Sequence, residues 1–195
     1  MKISLRYFAA LLMFVFLGCS TISRVGLSPT PDFTPTPERI QLTNGELEAC
    51  LLISEPEVEA ISGIHVTGEQ GYESTLFHGL ISCRYVLENG DVLLATSAST
   101  DATLVRQGNY YSASEWFQQM KMADIRMAEK APTMFQLQDI DNLGEQAYVR
   151  TGGLIVINVL QNNIVYWFST STIESGGIGY DKLFKLVVIA LQRAP

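Results

Sequence analysis

The cysteines carry the most reactive side chains in this sequence of 195 residues. There are three of them, Cys19, Cys50 and Cys83. A cysteine thiol can be modified covalently, form a disulfide or bind a metal. Because three is an odd number, one of these cysteines must differ in its chemistry from a bonded pair if the protein is exported.

Cys19 ends a segment that resembles the signal sequence of bacterial lipoproteins. Two basic residues precede the apolar run Tyr7–Leu17 of about 11 residues, whereas a helix that spans a bilayer needs roughly 20. The run ends in Phe16-Leu17-Gly18-Cys19, which is similar to a lipobox except that Phe16 stands where leucine is usual. The resemblance implies that residues 1–18 are removed and that Cys19 carries the acyl chains of a membrane anchor. The alternatives are an ordinary signal peptide and a short uncleaved anchor.

Lipid on Cys19 would leave Cys50 and Cys83, which lie 33 residues apart. In an oxidising compartment such a pair most simply forms one disulfide. Two buried free thiols are the alternative.

The charge of the chain argues against a nucleic acid partner. The formal net charge is −7, and removal of residues 1–18 with their two basic side chains would change it to about −9. Five glutamates lie within Glu46–Glu59. Binding to nucleic acid depends largely on lysine and arginine contacts to phosphates, so these acidic residues are best interpreted as a solvated surface.

Other residues could carry chemistry, but none has a motif that requires it. His65 and His78 could bind zinc together with Glu69 or Glu73, yet no metal-binding spacing is present and surface histidines are the simpler interpretation. The acidic residues Asp139, Asp141 and Glu145 lack the other ligands and the glycine of a calcium loop. We therefore predict no metal site, no cofactor and no catalytic residue.

Two further features have a structural and a functional interpretation. The glycine-rich segment 175–179 precedes a predicted helix and could bind an anion there, although a flexible connection is the simpler interpretation. Five aromatic residues could line a pocket between a helix and a sheet, although core packing is the default. They are Tyr110, Tyr111, Trp116, Tyr166 and Trp167.

The elements that position these residues fall into one predicted domain. Residues 19–43 are rich in proline and threonine, which favours an extended tether after the lipidated cysteine. Residues 44–195 are long enough for a single domain with its own core. Ser54 and Glu57, and later Ser112 and Glu115, have the spacing of helix capping boxes.

Within this domain the apolar pattern predicts the order α-β-β-α-β-β-β-α. Asn89-Gly90 predicts a type I′ hairpin turn, Tyr111–Lys130 and Gly179–Arg193 have helical spacing, and three strands lie within 146–171. The sequence therefore predicts an α+β fold with about five antiparallel strands and with helices packed on one face. The similar order of the two halves indicates a possible internal duplication.

Residues 45–193 resemble the DUF3558 family of exported bacterial lipoproteins, whose function is uncharacterised. The resemblance depends on the order of several short patterns: Leu47-x-x-Cys50-Leu51-Leu52, Glu57-Val58, Gly63, Cys83-x-Tyr85 and Leu143-Gly144-Glu145-Gln146-Ala147-Tyr148. It implies that Cys50 pairs with Cys83 and that the fold is related to extracellular sensor domains of bacterial kinases. It implies no catalytic residue.

These observations predict a lipoprotein that is anchored to the cell membrane through Cys19 and works outside the cytoplasm. We expect a non-enzymatic module that binds an unknown small ligand, or alternatively an accessory subunit that docks on a protein complex of the envelope. A deep apolar pocket would favour the first function. A flat exposed apolar patch would favour the second.

Overall fold

A computed structural model of the chain describes residues 39–41, 47–73, 80–98, 112–172 and 176–195. This part of the chain has an α+β fold in which three α-helices pack on one antiparallel sheet of seven strands. The helices are α1 (Glu55–Ser62), α2 (Ala113–Lys130) and α3 (Tyr180–Arg193). The strands are β1 (Val66–Glu73), β2 (Leu80–Leu87), β3 (Val92–Ala98), β4 (Gln136–Asp139), β5 (Gln146–Thr151), β6 (Leu154–Gln161) and β7 (Ile164–Ser171).

The predicted order of elements is confirmed, but the predicted number of five strands is wrong. The two extra strands, β1 and β4, lie in segments for which we predicted no strand, and they form the two edges of the sheet. The described side chains of β1 and β4 are mostly exposed. Edge strands of this kind have no apolar alternation, so the sequence pattern does not reveal them.

The strand order is β1-β2-β3-β7-β6-β5-β4. The last strand of each half, β3 or β7, therefore lies at the centre, and the two pair antiparallel with Leu94 opposite Ser169. This symmetrical order agrees with an internal duplication, but α1 and α2 lie on opposite faces of the sheet. A two-fold axis through the β3–β7 boundary would keep them on the same face, so the duplication stays a prediction.

One face of the sheet, here called the first face, carries the main core. Buried residues of α1, of α3 and of the 3-10 turn Ala49–Leu51 pack on it. Alternate strand residues supply the other half of this core, among them Tyr85, Ile157 and Phe168. A period of two along each strand produces this alternation.

The opposite or second face is covered by α2, so the prediction that all helices lie on one face is wrong. Trp116 and Phe117 of α2 pack on Tyr148, Leu160 and Val165. The reason is visible in β6, where residues 155–160 are all buried, on both faces. A strand that is apolar on both faces needs a covering layer on each side.

The turns and helix ends follow local sequence rules. Asn162 and Asn163 both have positive φ, as a type I′ hairpin turn requires. At Asn89-Gly90 only Gly90 has positive φ, so the predicted type I′ turn is wrong there and a three-residue loop of the bulged kind replaces it. The predicted capping box at Ser54 and Glu57 is confirmed, with Glu57 accepting a hydrogen bond from the Ser54 backbone. At the second predicted box, Ser112 accepts a hydrogen bond from the Glu115 backbone, which is one of the two bonds of a box. Among the described residues, no helix has both the length and the hydropathy to cross a bilayer.

Candidate functional site

Several of the sequence candidates lie outside the described residues. They are Cys19 with the rest of the predicted signal and most of the predicted tether, His78, Tyr110, Tyr111 and Ser175. For the strand residue Glu73, only the backbone is described.

The candidate metal ligands that the structure describes have other partners. The Nδ1 atom of His65 contacts the carboxylate of Glu59, which also accepts a hydrogen bond from the Val66 backbone. These contacts lower the pKa of Glu59, with the Val66 hydrogen bond as the largest cause. His65 is thus bound to Glu59, and the structure shows no contact between His65 and Glu69 in the described chain.

The acidic residues that we compared with a calcium loop have different partners. Asp139 forms an ion pair with Lys121 at 2.7 Å. Glu145 accepts a hydrogen bond from the Asn162 backbone at 2.8 Å. The structure therefore does not bring these carboxylates together as one set of ligands.

Cys50 and Cys83 form the predicted disulfide, with an S–S distance of 2.10 Å. The bond joins the 3-10 turn to β2, and a carboxylate oxygen of Glu69 lies 3.9 Å from Cys83 Sγ. The three side chains lie close enough to bind a metal ion. In the disulfide neither sulfur is a thiolate, which is the form that binds metals, so the cluster is not a metal site in this state.

The aromatic candidates separate onto the two faces of the sheet. Trp116 of α2 lies on the second face, and alternation along β7 places Trp167 on that face as well. Tyr166 lies on the first face, where it stacks on Phe168 with ring centroids 6.5 Å apart. Trp116 and Trp167 are thus the described aromatic candidates that share a face.

The second face also holds polar side chains that are unusual in a sheet interior. Asn158 lies directly opposite Trp167 in the β6–β7 pair and opposite Tyr148 in the β5–β6 pair. Its exposed fraction is only 3%. Thr96 and Ser82 continue the same row across β3 and β2, and their hydroxyl groups are 3.0 Å apart.

Two N–H groups on this face are buried without a hydrogen-bond partner in the described structure. They are Nε1 of Trp167 and Nε of Arg150. Arg150 lies two residues beyond Tyr148 on β5, and is therefore a diagonal neighbour of Asn158. We call Arg150, Asn158 and Trp167 the donor cluster, because they lie on three adjacent strands and each carries N–H groups.

Arg150 is held in place by α2 and by the segment before β4. Its Nε lies 3.4 Å from Oδ1 of Asp124, close enough for an ion pair although the geometry is not that of a hydrogen bond. Its guanidinium group also lies over the ring of Phe135, 5.8 Å from the centroid. The charge of Arg150 is thus balanced by Asp124, while its Nε–H group still lacks an acceptor.

Tyr148 ties Asp124 to the sheet. Its hydroxyl group donates a hydrogen bond to Oδ2 of Asp124 at 2.9 Å. Burial raises the pKa of Tyr148, and the Asp124 carboxylate raises this pKa further, because ionised tyrosine would be desolvated beside a negative charge. Tyr148 therefore stays a neutral donor, and Asp124 is occupied by Tyr148 and Arg150.

A second candidate site is a cleft of about 270 Å³ beside α3. Its volume is slightly below the usual range of small-molecule pockets, roughly 300–1,000 Å³. Gln161, one of its polar residues, already donates to the carbonyl oxygen of Leu191 at 3.3 Å. Its lining residues are Asn142, Leu143, Gly144, Gln161, Phe184, Val188, Leu191 and Gln192. Since none of them carries a buried polar atom that lacks a partner in the described chain, the donor cluster is the better candidate.

Comparison of the chain with known proteins identifies no related protein. No protein-family profile, no curated protein and no solved structure matches the chain. The resemblance to the DUF3558 family therefore stays a prediction.

Sequence reasoning identified Trp167 but missed Asn158 and Arg150. Asn158 is the only polar residue inside the otherwise apolar run Leu154–Leu160 of β6, and that isolation was a usable signal. Arg150 gave no comparable signal, because an arginine at the end of a strand is ordinary.

Proposed function

We propose that this protein is a non-enzymatic ligand-binding or sensor-like module that works outside the cytoplasm, attached to the cell membrane by lipid on Cys19. The observation that carries the binding function is the donor cluster. It presents two buried N–H groups without a partner in the described chain, on either side of the buried carboxamide of Asn158.

A buried hydrogen-bond donor without a partner favours the binding of a ligand that carries an acceptor. Leaving such a group without a hydrogen bond costs about 1–3 kcal/mol. A ligand atom that accepts hydrogen bonds from Trp167 or Arg150 would recover part of this cost. Both residues are only partly buried as a whole, although the two nitrogen atoms themselves are buried.

The arrangement supports binding better than catalysis. The nearest titratable pair is Tyr148 and Asp124, and these two groups are hydrogen-bonded to each other. The raised pKa of Tyr148 keeps its hydroxyl group protonated near neutral pH, so it is a weak acid and a weak nucleophile there. The donor cluster itself contains no group that exchanges a proton readily at that pH.

The cysteines support the compartment and the anchor. The Cys50–Cys83 bond is of the kind that persists outside the cytoplasm. It leaves Cys19 as the one remaining thiol of the three cysteines. Its position after a short apolar run and Leu17-Gly18 fits lipid attachment.

The alternative function is an accessory subunit that docks on an envelope protein complex. The exposed side chains of Met134 and Leu154 favour it, with exposed fractions of 65% and 50%. Both flank the β5–β6 turn. The carbonyl oxygen of Met134 lies 2.9 Å from the point that a Cβ atom would occupy if Gly152 carried a side chain. The acidic face of α1 is a weak docking surface, because Glu57 and Glu59 have partners within the chain.

Native mass spectrometry of the protein extracted from membranes of its own host tests the proposal. We expect a small molecule that stays bound to the wild-type chain and is lost on collisional activation. Trp167→Phe should lower the occupancy of this molecule, because phenylalanine keeps an aromatic ring at this position but lacks the indole N–H group.

Tyr166→Phe is the matched control. It changes the neighbouring aromatic residue on the same strand, but on the first face of the sheet, so it should retain the molecule. A wild-type chain with no bound molecule would contradict the ligand-binding function. A stoichiometric protein partner in place of a small molecule would favour the accessory subunit.

A further inference from the structure

We propose that the ligand of the donor cluster is an uncharged molecule with an apolar body and a carbonyl group, such as an amide. This inference deepens the proposed function and rests on it. It follows from the hydrogen-bonding character, the charge and the apolar surroundings of the cluster.

The hydrogen-bonding groups require an acceptor on the ligand. The indole of Trp167 and the guanidinium of Arg150 can only donate hydrogen bonds. Their two unpartnered atoms in the described chain are both N–H groups. A carbonyl oxygen, with two lone pairs, satisfies such groups, whereas an ammonium group would place more donors against them.

Asn158 favours a ligand that also carries a hydrogen-bond donor. Its carboxamide carries both an acceptor oxygen and a donor nitrogen, and it lies directly opposite Trp167. Paired positions on adjacent strands have Cβ atoms about 4.5–5.5 Å apart. One amide group of a ligand can therefore accept from Trp167 and donate to Asn158 at the same time.

Two cations on the α2 side of the cluster are already paired with carboxylates. Arg150 lies 3.4 Å from Asp124, and Lys121 lies 2.7 Å from Asp139. Each of the two cations thus already has an anion. A carboxylate placed in the cluster would be desolvated near Asp124, and the guanidinium of the cluster itself, Arg150, is already paired with that residue.

The rest of the second face suits an apolar ligand body. Val86 of β2 and Val92 of β3 are paired on this face, and both are only partly buried. Leu94, which pairs with Ser169, is only partly buried. An uncharged chain that covers this surface would remove apolar area from water.

A matched series of three compounds tests the inference: octanamide, octanoate and octylammonium. They share one apolar chain and differ in charge and in donors and acceptors. The mature chain of residues 19–195 with Cys19→Ala serves for this test, because without acyl chains and without the apolar run Tyr7–Leu17 it needs no detergent, into which these compounds would partition. Binding is followed by calorimetry and by tryptophan fluorescence, since both tryptophans of the sequence, Trp116 and Trp167, lie on the second face.

We expect octanamide to bind at least about tenfold more tightly than octanoate, and octylammonium to bind most weakly. Trp167→Phe should weaken octanamide binding by about threefold to tenfold, as the loss of one neutral hydrogen bond predicts. Tyr166→Phe should leave the affinity unchanged. Near-ultraviolet circular dichroism of both variants checks that they keep the native fold.

Equal or tighter binding of octanoate or octylammonium would overturn the inference, and so would equal effects of the two variants. These results would leave the proposed function intact if native mass spectrometry still finds a bound small molecule. If none of the three compounds binds and the wild-type chain carries no molecule, both the inference and the proposed function fail.

Discussion

At the scale of single residues, two buried tyrosines of the first face differ mainly in what their hydroxyl groups contact. Tyr85 donates a hydrogen bond to the carbonyl oxygen of Ile53 at 2.5 Å. The hydroxyl of Tyr166 has no partner in the described structure, although both side chains are fully buried. Burial raises the pKa of each, so both stay neutral at physiological pH.

This difference predicts opposite effects of the same substitution. Tyr85→Phe should lower the free energy of unfolding by about 1–2 kcal/mol, because it leaves the Ile53 carbonyl unpaired. Tyr166→Phe should leave it unchanged or raise it by up to about 1 kcal/mol, because it removes an unpaired polar group. Urea unfolding followed by circular dichroism measures both. Equal destabilisation by the two variants would show that the Tyr166 hydroxyl has a partner in solution.

The residues of the site were only partly predictable from the sequence. Trp167 stands out as an aromatic residue in a strand, and Asn158 as a polar residue within an apolar run. The lack of an acceptor for Arg150 Nε could not be foreseen, because it depends on how Asp124 of α2 approaches β5. That approach is a tertiary contact between residues 26 positions apart in the chain.

At the scale of elements, an ion pair links α1 to the end of α3. The guanidinium of Arg193 contacts both carboxylate oxygens of Glu57, at 2.7 Å and 2.5 Å. Burial raises the pKa of Glu57, but the hydrogen bonds from Arg193 and Ser54 outweigh burial and lower it overall. A lowered pKa in the folded state means that the ionised carboxylate stabilises the fold.

The resulting pH dependence can be measured. The stabilisation by Glu57 should be fully present above its ordinary pKa of 4.5 and should be lost as the pH falls through the lower value of the folded state. Glu57→Gln should therefore lower the free energy of unfolding by about 1–3 kcal/mol at pH 7, and much less near pH 3. Glu55→Gln is the matched control, since Glu55 lies in the same helical turn and forms no ion pair with a described residue. A loss for Glu57→Gln that is the same at both pH values would contradict this account.

Most elements were predictable because their signals are local. The capping residues, the paired asparagines at 162–163 and the apolar periodicity of α2 and α3 each determine structure over a few residues. The edge strands β1 and β4 were missed, since their mostly exposed side chains leave no such pattern. The central β3–β7 pairing could not be predicted from local sequence patterns either, because the paired residues lie about 70 positions apart in the chain.

At the scale of the whole molecule, the two faces of the sheet have different roles. The first face holds the larger core and is tied to the start of the domain by the Cys50–Cys83 bond. The second face holds the smaller cluster under α2 and the donor cluster beside it. The proposed binding function therefore uses the face with the smaller core.

Removal of the thiol at residue 19 tests the attachment to the membrane. In cells that make the protein, Cys19→Ala should either appear in a soluble fraction or accumulate as the uncleaved precursor, because the acyl chains can no longer be attached. Cell fractionation and immunoblotting measure the outcome. Cys50→Ala with Cys83→Ala is the matched control, which should remain attached to the membrane. Unchanged attachment of a fully processed Cys19→Ala chain would contradict the lipid anchor.

The intact mass of the mature protein, extracted from the membranes of its own host, tests the central claim most directly. We predict a chain that begins at Cys19, carries the added mass of acyl groups there, and is lighter by two hydrogens than its reduced form. A mature chain that begins at another residue, or an unmodified Cys19, would contradict the anchor and the compartment that this account proposes.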